Sequence, residues 1–309
     1  MDRRWAGWRQ GLYAGKHSGC LAPETVRGPE GSMNVRRHPA SPKNGLANVL
    51  FNAAYVYQRA SVYLDDKKMI TVRAPGSIYQ ASGEIEHGTF RGRWHFSFDE
   101  YRDPGHMGFG PLRVFNDDTL SPGAVWPLHY HEEIEVVTYC AGGVFRHADQ
   151  RGEGGVLKKG WVQHTTVGSG MYHSEINDRK DEPMRFIQMW IMPDRPGLPP
   201  SVEQKRVERA ERTSVLLPLV SNRHPGALGI HQDAMVFSSF LRQGHSLIYA
   251  IDGNRGLYLY VLEGGPVSID SHEVPALGAA AITGETGIRI ESKGDAEMLL
   301  VDVPPGESR

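Results

Sequence analysis

Pro127-Leu-His-Tyr-His-Glu-Glu-Ile-Glu-Val-Val-Thr-Tyr139 is the stretch on which the fold turns. It runs from a pair of histidines into a β-branched segment closed by an aromatic residue, the composition of a strand. Side chains of an extended chain alternate in direction, so His129, His131 and Glu135, which share parity, would point to one face. If that face lines the inside of a closed sheet, two imidazoles and a carboxylate converge. If it faces water, the same alternation describes a polar strand face beside an apolar one, and alternation by itself does not choose.

The surrounding sequence repeats the strand signal. From about residue 70 onward, short β-branched and aromatic runs are separated by Gly, Pro, Asp and Asn turns. Examples are Arg93-Trp-His-Phe-Ser-Phe, Phe186-Ile-Gln-Met-Trp-Ile-Met, Gly256-Leu-Tyr-Leu-Tyr-Val-Leu and Met298-Leu-Leu-Val-Asp-Val. An all-β fold is expected, with Val202 to Arg212 as the one helical segment. The proline-rich Met192-Pro-Asp-Arg-Pro-Gly-Leu-Pro-Pro200 suits neither a central strand nor a helix and reads as a linker. A strand, glycine turn, strand pattern occurs on each side of it, at Val136 to Gly143 and Leu257 to Gly265, which suggests a duplicated sandwich or barrel. The expected domains are therefore 69–195 and 196–309, preceded by a disordered extension over residues 1–68.

That extension is compositionally distinct. It holds eleven basic and five acidic side chains, a net charge of +6, so the remainder carries −8 of the total of −2. Gly, Pro and Ser punctuate it without sustained periodicity. It lacks the apolar core of a secretory signal, and reads either as a transit segment or as a misassigned start, with Met69 the natural beginning. The near-neutral whole argues against a general nucleic-acid or anionic-membrane binder. Cys20 and Cys140 cannot build a disulfide framework, so a reducing, cytoplasmic setting is expected. Cys140 itself reads as a packed residue rather than a nucleophile.

A second histidine pattern lies downstream. In Gly168-Ser-Gly-Met-Tyr-His-Ser-Glu175, His173 and Glu175 again share parity. Two such strands side by side would present imidazoles and a carboxylate suited to Fe(II), Mn, Co, Ni or Cu with open positions, whereas a structural zinc site would call for a closed, thiolate-rich set. The second half has no His-x-His. Its His224, His231, His245 and His272 lack partners at ligand spacing and read as structural residues.

The spacing Gly123, five residues, His129-Tyr-His131, three residues, Glu135, six residues, Gly142 resembles the first cupin motif in full. Beyond it, the sequence resembles the pirin family of the cupin superfamily. The resemblance is carried by His129 to Tyr139, His147-Ala-Asp149-Gln-Arg-Gly152, Gly168 to Glu175, Gln188-Met-Trp-Ile-Met-Pro193, Ile230-His-Gln-Asp-Ala234 and Asp295 to Pro304, covering about residues 70–305. It implies a bicupin of two jelly-roll domains, the first binding one divalent metal, usually iron, through His129, His131, His173 and Glu175, the second metal-free. Glu135, a ligand by cupin spacing, is not the usual ligand in pirin-like proteins and is expected to act nearby as a proton-handling group. Tyr130 and Glu132 stand where the family commonly has proline and arginine, which alters the charge at the pocket mouth.

The implied activity is an Fe(II)-dependent dioxygenase that opens a flavonol-like polyphenol such as quercetin with loss of carbon monoxide, Glu175 or Glu135 accepting the substrate's hydroxyl proton. The implied partners are that small aromatic substrate and dioxygen, with neither nucleic acid nor membrane, and a monomeric state. The family also suggests a different class of function: an iron-binding redox sensor that acts on a regulatory protein partner without turnover. A structural bicupin with no metal is the third reading.

Overall fold

Strands account for almost every apolar run in the computed structural model, which describes residues 67–150 and 154–305. The expected extension lies, up to Asp66, outside the described residues, as does Gly152 of the quoted motif. The described residues form twenty-one strands, β1 to β21 in chain order. A seven-stranded antiparallel sheet has the order β12 (Ser201–Lys205), β9 (Val162–Thr166), β6 (Glu135–Gly142), β11 (Met184–Ile191), β4 (Leu112–Leu120), β3 (Gly88–Trp94) and β2 (Tyr79–Ile85). Facing it is a four-stranded sheet of β5 (Val125–His131), β10 (Met171–Ile176), β7 (Val144–Asp149) and β8 (Gly154–Lys158).

The second half repeats the plan. A six-stranded sheet runs β1 (Met69–Arg73), β19 (Ala279–Thr283), β16 (Gly256–Gly264), β21 (Ala296–Val303), β14 (Met235–Leu241) and β13 (Leu217–Ser221). It is covered by β15 (Ser246–Ala250), β20 (Gly287–Ser292), β17 (Val267–Ile269) and β18 (His272–Val274). The chain is thus all-β, two jelly-roll sandwiches forming the bicupin that the resemblance implies. No helix among the described residues is long and apolar enough to cross a membrane.

Parity explains how the sandwiches join. In β6, Val136 and Cys140 face the interior of the first sandwich, whereas Val137, Tyr139 and Ala141 belong to a separate core. That core also takes Phe115, Ile187 and Met189 from the large first sheet and Tyr258, Tyr260, Leu299 and Val301 from the large second one. The two large sheets therefore pack against each other, and strands buried on both faces read as continuous apolar runs rather than alternating ones. Truncating a fully buried aromatic of this layer, such as Phe115, would cost about 3–5 kcal/mol.

Hydrogen bonding also crosses between the halves of the sequence. β1 pairs with β19, Met69 opposite Thr283, so the first described strand completes the second sheet. In return β12 pairs with β9, Ser201 opposite Thr166. The helix expected over Val202 to Arg212 is thereby corrected: its first part is this edge strand and its last, Arg209–Arg212, a single 3-10 turn capped by Glu208 and Glu211. Val202, Val207 and Ala210 are too few apolar residues to make a helical stripe, while β9 offers an unpaired strand edge.

Candidate metal centre

β5 is the edge strand of the four-stranded sheet, and its proline sits where an edge allows it. His131 pairs with Met171 and His129 with His173, after which β5 spends one residue more than β10 before Trp126 meets Glu175. Pro127 and Leu128 form this bulge, a device that bends a strand and re-aims its side chains. On the other side of β10, Glu175 lies opposite His147 and His173 opposite Asp149. Cross-strand partners share a face, so one side of this sheet carries His129, His131, His147, Asp149, His173 and Glu175 into the first sandwich.

There, ring nitrogens of His129, His131 and His173 lie within 4.8 Å of one another, the one such three-residue group among the described residues. His129 Nδ1 lies 2.8 Å from the carbonyl of Pro127. A carbonyl only accepts, so this nitrogen carries the proton and Nε2 keeps its lone pair. His173 Nδ1 is engaged at 2.9 Å by His147 Nε2, and His173 Nε2 is buried without a hydrogen-bond partner among the described residues. The Glu175 carboxylate stands 3.9 Å from that nitrogen. Gln188 Nε2 donates to Glu175 Oε1 at 2.9 Å, and Gln188 Oε1 accepts from Trp190 Nε1 at 2.9 Å. Trp190 in turn packs edge-on against His131, 4.6 Å between centroids.

Burial, first of all, holds His131 and His173 well below the ordinary histidine range, with neighbouring imidazoles adding to the effect. Neutral rings with lone pairs turned toward one point, backed by a buried carboxylate, fit a divalent transition metal with nitrogen and oxygen ligands. The side chains expected as ligands, His129, His131, His173 and Glu175, are thus brought to one face. His147, Gln188 and Trp190 complete the surroundings. Their roles were not legible in spacing, because His147 lies on β7 beside β10, and Gln188 and Trp190 lie on β11 in the facing sheet, so they become neighbours of the cluster only in the fold.

Glu135 is a correction. β5 ends at His131, and the chain turns through Glu132 to Ile134 with Glu133 in the left-handed region at φ 54° before β6 begins in the opposite sheet. Parity does not carry across that break. Glu135 faces the layer between the two large sheets, where its carboxylate accepts from the His231 backbone N–H at 3.0 Å, from His231 Nδ1 at 2.9 Å and from Thr166 Oγ1 at 3.3 Å. His164 Nε2 stands 3.3 Å away. His231 is thus a partner of Glu135 across the two halves. Cys140 is fully buried, and burial pushes its thiol up to about 11, an inert packed residue.

The family model described as Pirin matches residues 78–191, and that described as Quercetinase C-terminal cupin domain matches 219–303. A quercetin 2,3-dioxygenase of Escherichia coli is 33% identical over 224 residues, 72% of this chain and 95% of the relative. A pirin-like protein of Caulobacter vibrioides is 36% identical over 222 residues, 71% of this chain and 95% of the relative. Among solved structures, a bacterial pirin from Escherichia coli in complex with nickel(II) aligns with TM-score 0.71 at 32% identity, covering 77% of this chain and all of that one. With both sandwiches matched and its histidine cluster in the first of them, this chain belongs to the pirin family.

Proposed function

We propose that the protein is an Fe(II)-dependent dioxygenase that opens a flavonol-like polyphenol such as quercetin, the metal held by His129, His131, His173 and Glu175. The observation that carries the reading is the convergence of three imidazoles beside a buried carboxylate, with the outer nitrogen of His129 fixed by a carbonyl. A relative named quercetin 2,3-dioxygenase supports the choice of substrate class. When bound, the metal would supply Lewis acidity and redox capacity at the cluster.

The chain's own groups supply the rest. Glu175 is a carboxylate beside the cluster, and with one oxygen taken by Gln188 it can accept a phenolic hydroxyl proton on the other. Trp190, backed by Phe98 and Trp94, forms an aromatic wall beside His131 that suits a flat ring. Glu135, turned into the other layer, takes no part in that proton transfer. The reading places the protein in a reducing cytoplasm, where Cys140 stays a thiol.

The test is oxygen uptake by anaerobically purified, iron-loaded protein given quercetin, with His131→Ala alongside. Iron-dependent uptake by the parent alone is expected. No uptake by a parent holding one iron per chain would sink the enzyme and leave a non-catalytic iron protein. Stoichiometric metal in His131→Ala would sink the ligand assignment.

A further inference from the structure

We infer that His147 is a positioning residue: it accepts the Nδ1–H of His173 and holds that ring in the tautomer whose Nε2 presents a lone pair to the histidine cluster. The inference deepens the metal-site reading above and rests on it for its consequence, though not for its geometry.

A neutral imidazole carries one proton, and at His173 the surroundings decide where. Nε2 has no hydrogen-bond partner among the described residues, and Glu175 Oε1, at 3.9 Å, is beyond hydrogen-bond reach. A proton there would be a buried donor left unmade. Nδ1 lies 2.9 Å from His147 Nε2, so a proton on Nδ1 is donated and the arrangement is satisfied. His147 must then offer Nε2 as acceptor and keep its own proton on Nδ1.

That second proton sits badly. His147 Nδ1 is itself buried, with no hydrogen-bond partner among the described residues. Room for the ring is made by Gly154, at φ +135°, where a Cβ would come within 2.7 Å of that nitrogen. A leucine would fill the same space without a buried polar atom. A group that costs stability in its place is held for what it does to its neighbour. The ladder fixes that neighbour, since β7 sets His147 directly opposite Glu175 on β10, one pleat from His173. Each cluster histidine with a placed outer nitrogen thus has its tautomer set by a different acceptor, a carbonyl for His129 and an imidazole for His173.

The test uses the full-length protein with His147→Leu and His147→Gln, the amide oxygen of Gln being able to accept the same proton. In the metal-free parent, nitrogen-15 NMR of the histidine rings should show His173 protonated at Nδ1 alone, and His147→Leu should show a mixture of tautomers. Cobalt(II) affinity, measured by chelator competition, should fall roughly 10- to 100-fold in His147→Leu with a changed visible spectrum. His147→Gln should recover most of both, and the unfolding midpoint of metal-free His147→Leu should not fall. An Nε2-protonated His173 in the parent, parental cobalt affinity in His147→Leu, or equal losses in the Leu and Gln variants would each overturn the role. If the parent binds no cobalt while the NMR result stands, the metal reading fails and the tautomer lock survives it.

Discussion

Asp118 projects from β4 toward the interior of the first sandwich, where Trp94 Nε1 donates to its Oδ1 at 3.1 Å. Burial is the foremost influence on its carboxyl. The Trp94 hydrogen bond opposes it, repulsion from Asp117 and Glu175 adds to it, and the net effect raises the group to about 8. The unfolded chain, with an ordinary aspartate, loses its proton near pH 3.8 while the folded one keeps it. Between those values the folded state binds more protons, so stability falls as pH rises. Asp118→Asn removes that dependence and keeps the acceptor for Trp94. In metal-free protein the variant should be more stable than the parent at pH 8 by several kcal/mol, on the order of 5, with the gap closing toward pH 4. Urea unfolding at the two pH values checks it, and a pH-independent gap would show that Asp118 is ionised in the fold. Nothing in Leu112-Arg-Val-Phe-Asn-Asp-Asp-Thr-Leu120 marks this residue in the sequence, whereas His129, His131, His173 and Glu175 announced themselves by spacing. The proposed ligands come in pairs along a strand. The groups that tune them come from neighbouring strands, whose register no single segment contains.

The same boundary between local and non-local information runs through the elements. Alternation located His129 with His131 on β5 and His173 with Glu175 on β10, and it failed for Glu135, where a left-handed Glu133 ends one strand and starts another. The composition of the proline-rich stretch is that of a linker. In the structure it is also a brace: Leu198 is buried, Ser169 N donates to its carbonyl at 3.0 Å, and Gly197 N donates to the Glu133 carboxylate at 2.9 Å. This brace meets the turn that launches β10. Gly168, at φ +52°, has no room for a side chain, since a Cβ would lie 1.9 Å from the Leu198 carbonyl oxygen. Gly197, at φ +72°, has nothing within 4 Å. Gly197→Ala should therefore cost only the backbone term of about 1 kcal/mol, and Gly168→Ala at least about twice that, because a backbone carbonyl must move. Gly168→Ala should also weaken cobalt binding by shifting His173 and Glu175. Denaturation midpoints and cobalt competition on the two variants check this, and equal costs would mean that the brace yields freely.

At the scale of the whole molecule, polar side chains cross the apolar layer between the large sheets at several points. Arg185 grips Asp117 through two hydrogen bonds of 2.7 Å, and Tyr260 donates to the same carboxylate. His95 Nδ1 meets the Tyr258 hydroxyl at 2.8 Å, and Tyr139 donates to Glu297 beside Arg212. Runs such as Gly256-Leu-Tyr-Leu-Tyr-Val-Leu announced buried strands in the sequence. They could not say that the second face of each was covered by the other half of the chain. Glu135 is the crossing whose pH dependence can be read. Burial alone would raise its carboxyl, but the hydrogen bond and charge of His164, then the N–H and ring of His231, outweigh burial and hold it below the ordinary 4.5. A depressed carboxylate contributes its stability above the unfolded value and loses it as pH falls through the folded one. Glu135→Gln keeps the shape but leaves one fewer oxygen to accept, so it should destabilise the protein at pH 7 by on the order of 1–3 kcal/mol. That deficit should shrink once the pH drops below the ordinary 4.5, where the unfolded chain's carboxylate begins to take up its proton, and shrink further as the folded one follows at lower pH. Metal stoichiometry should stay at the parental level, since Glu135 faces the domain layer and not the histidine cluster. Urea unfolding at pH 7 and at pH 3.5, with cobalt titration of the folded variant, separates the two roles that sequence and structure assign to this residue. A constant deficit would deny the ionised latch, and lost cobalt would return Glu135 to the metal centre.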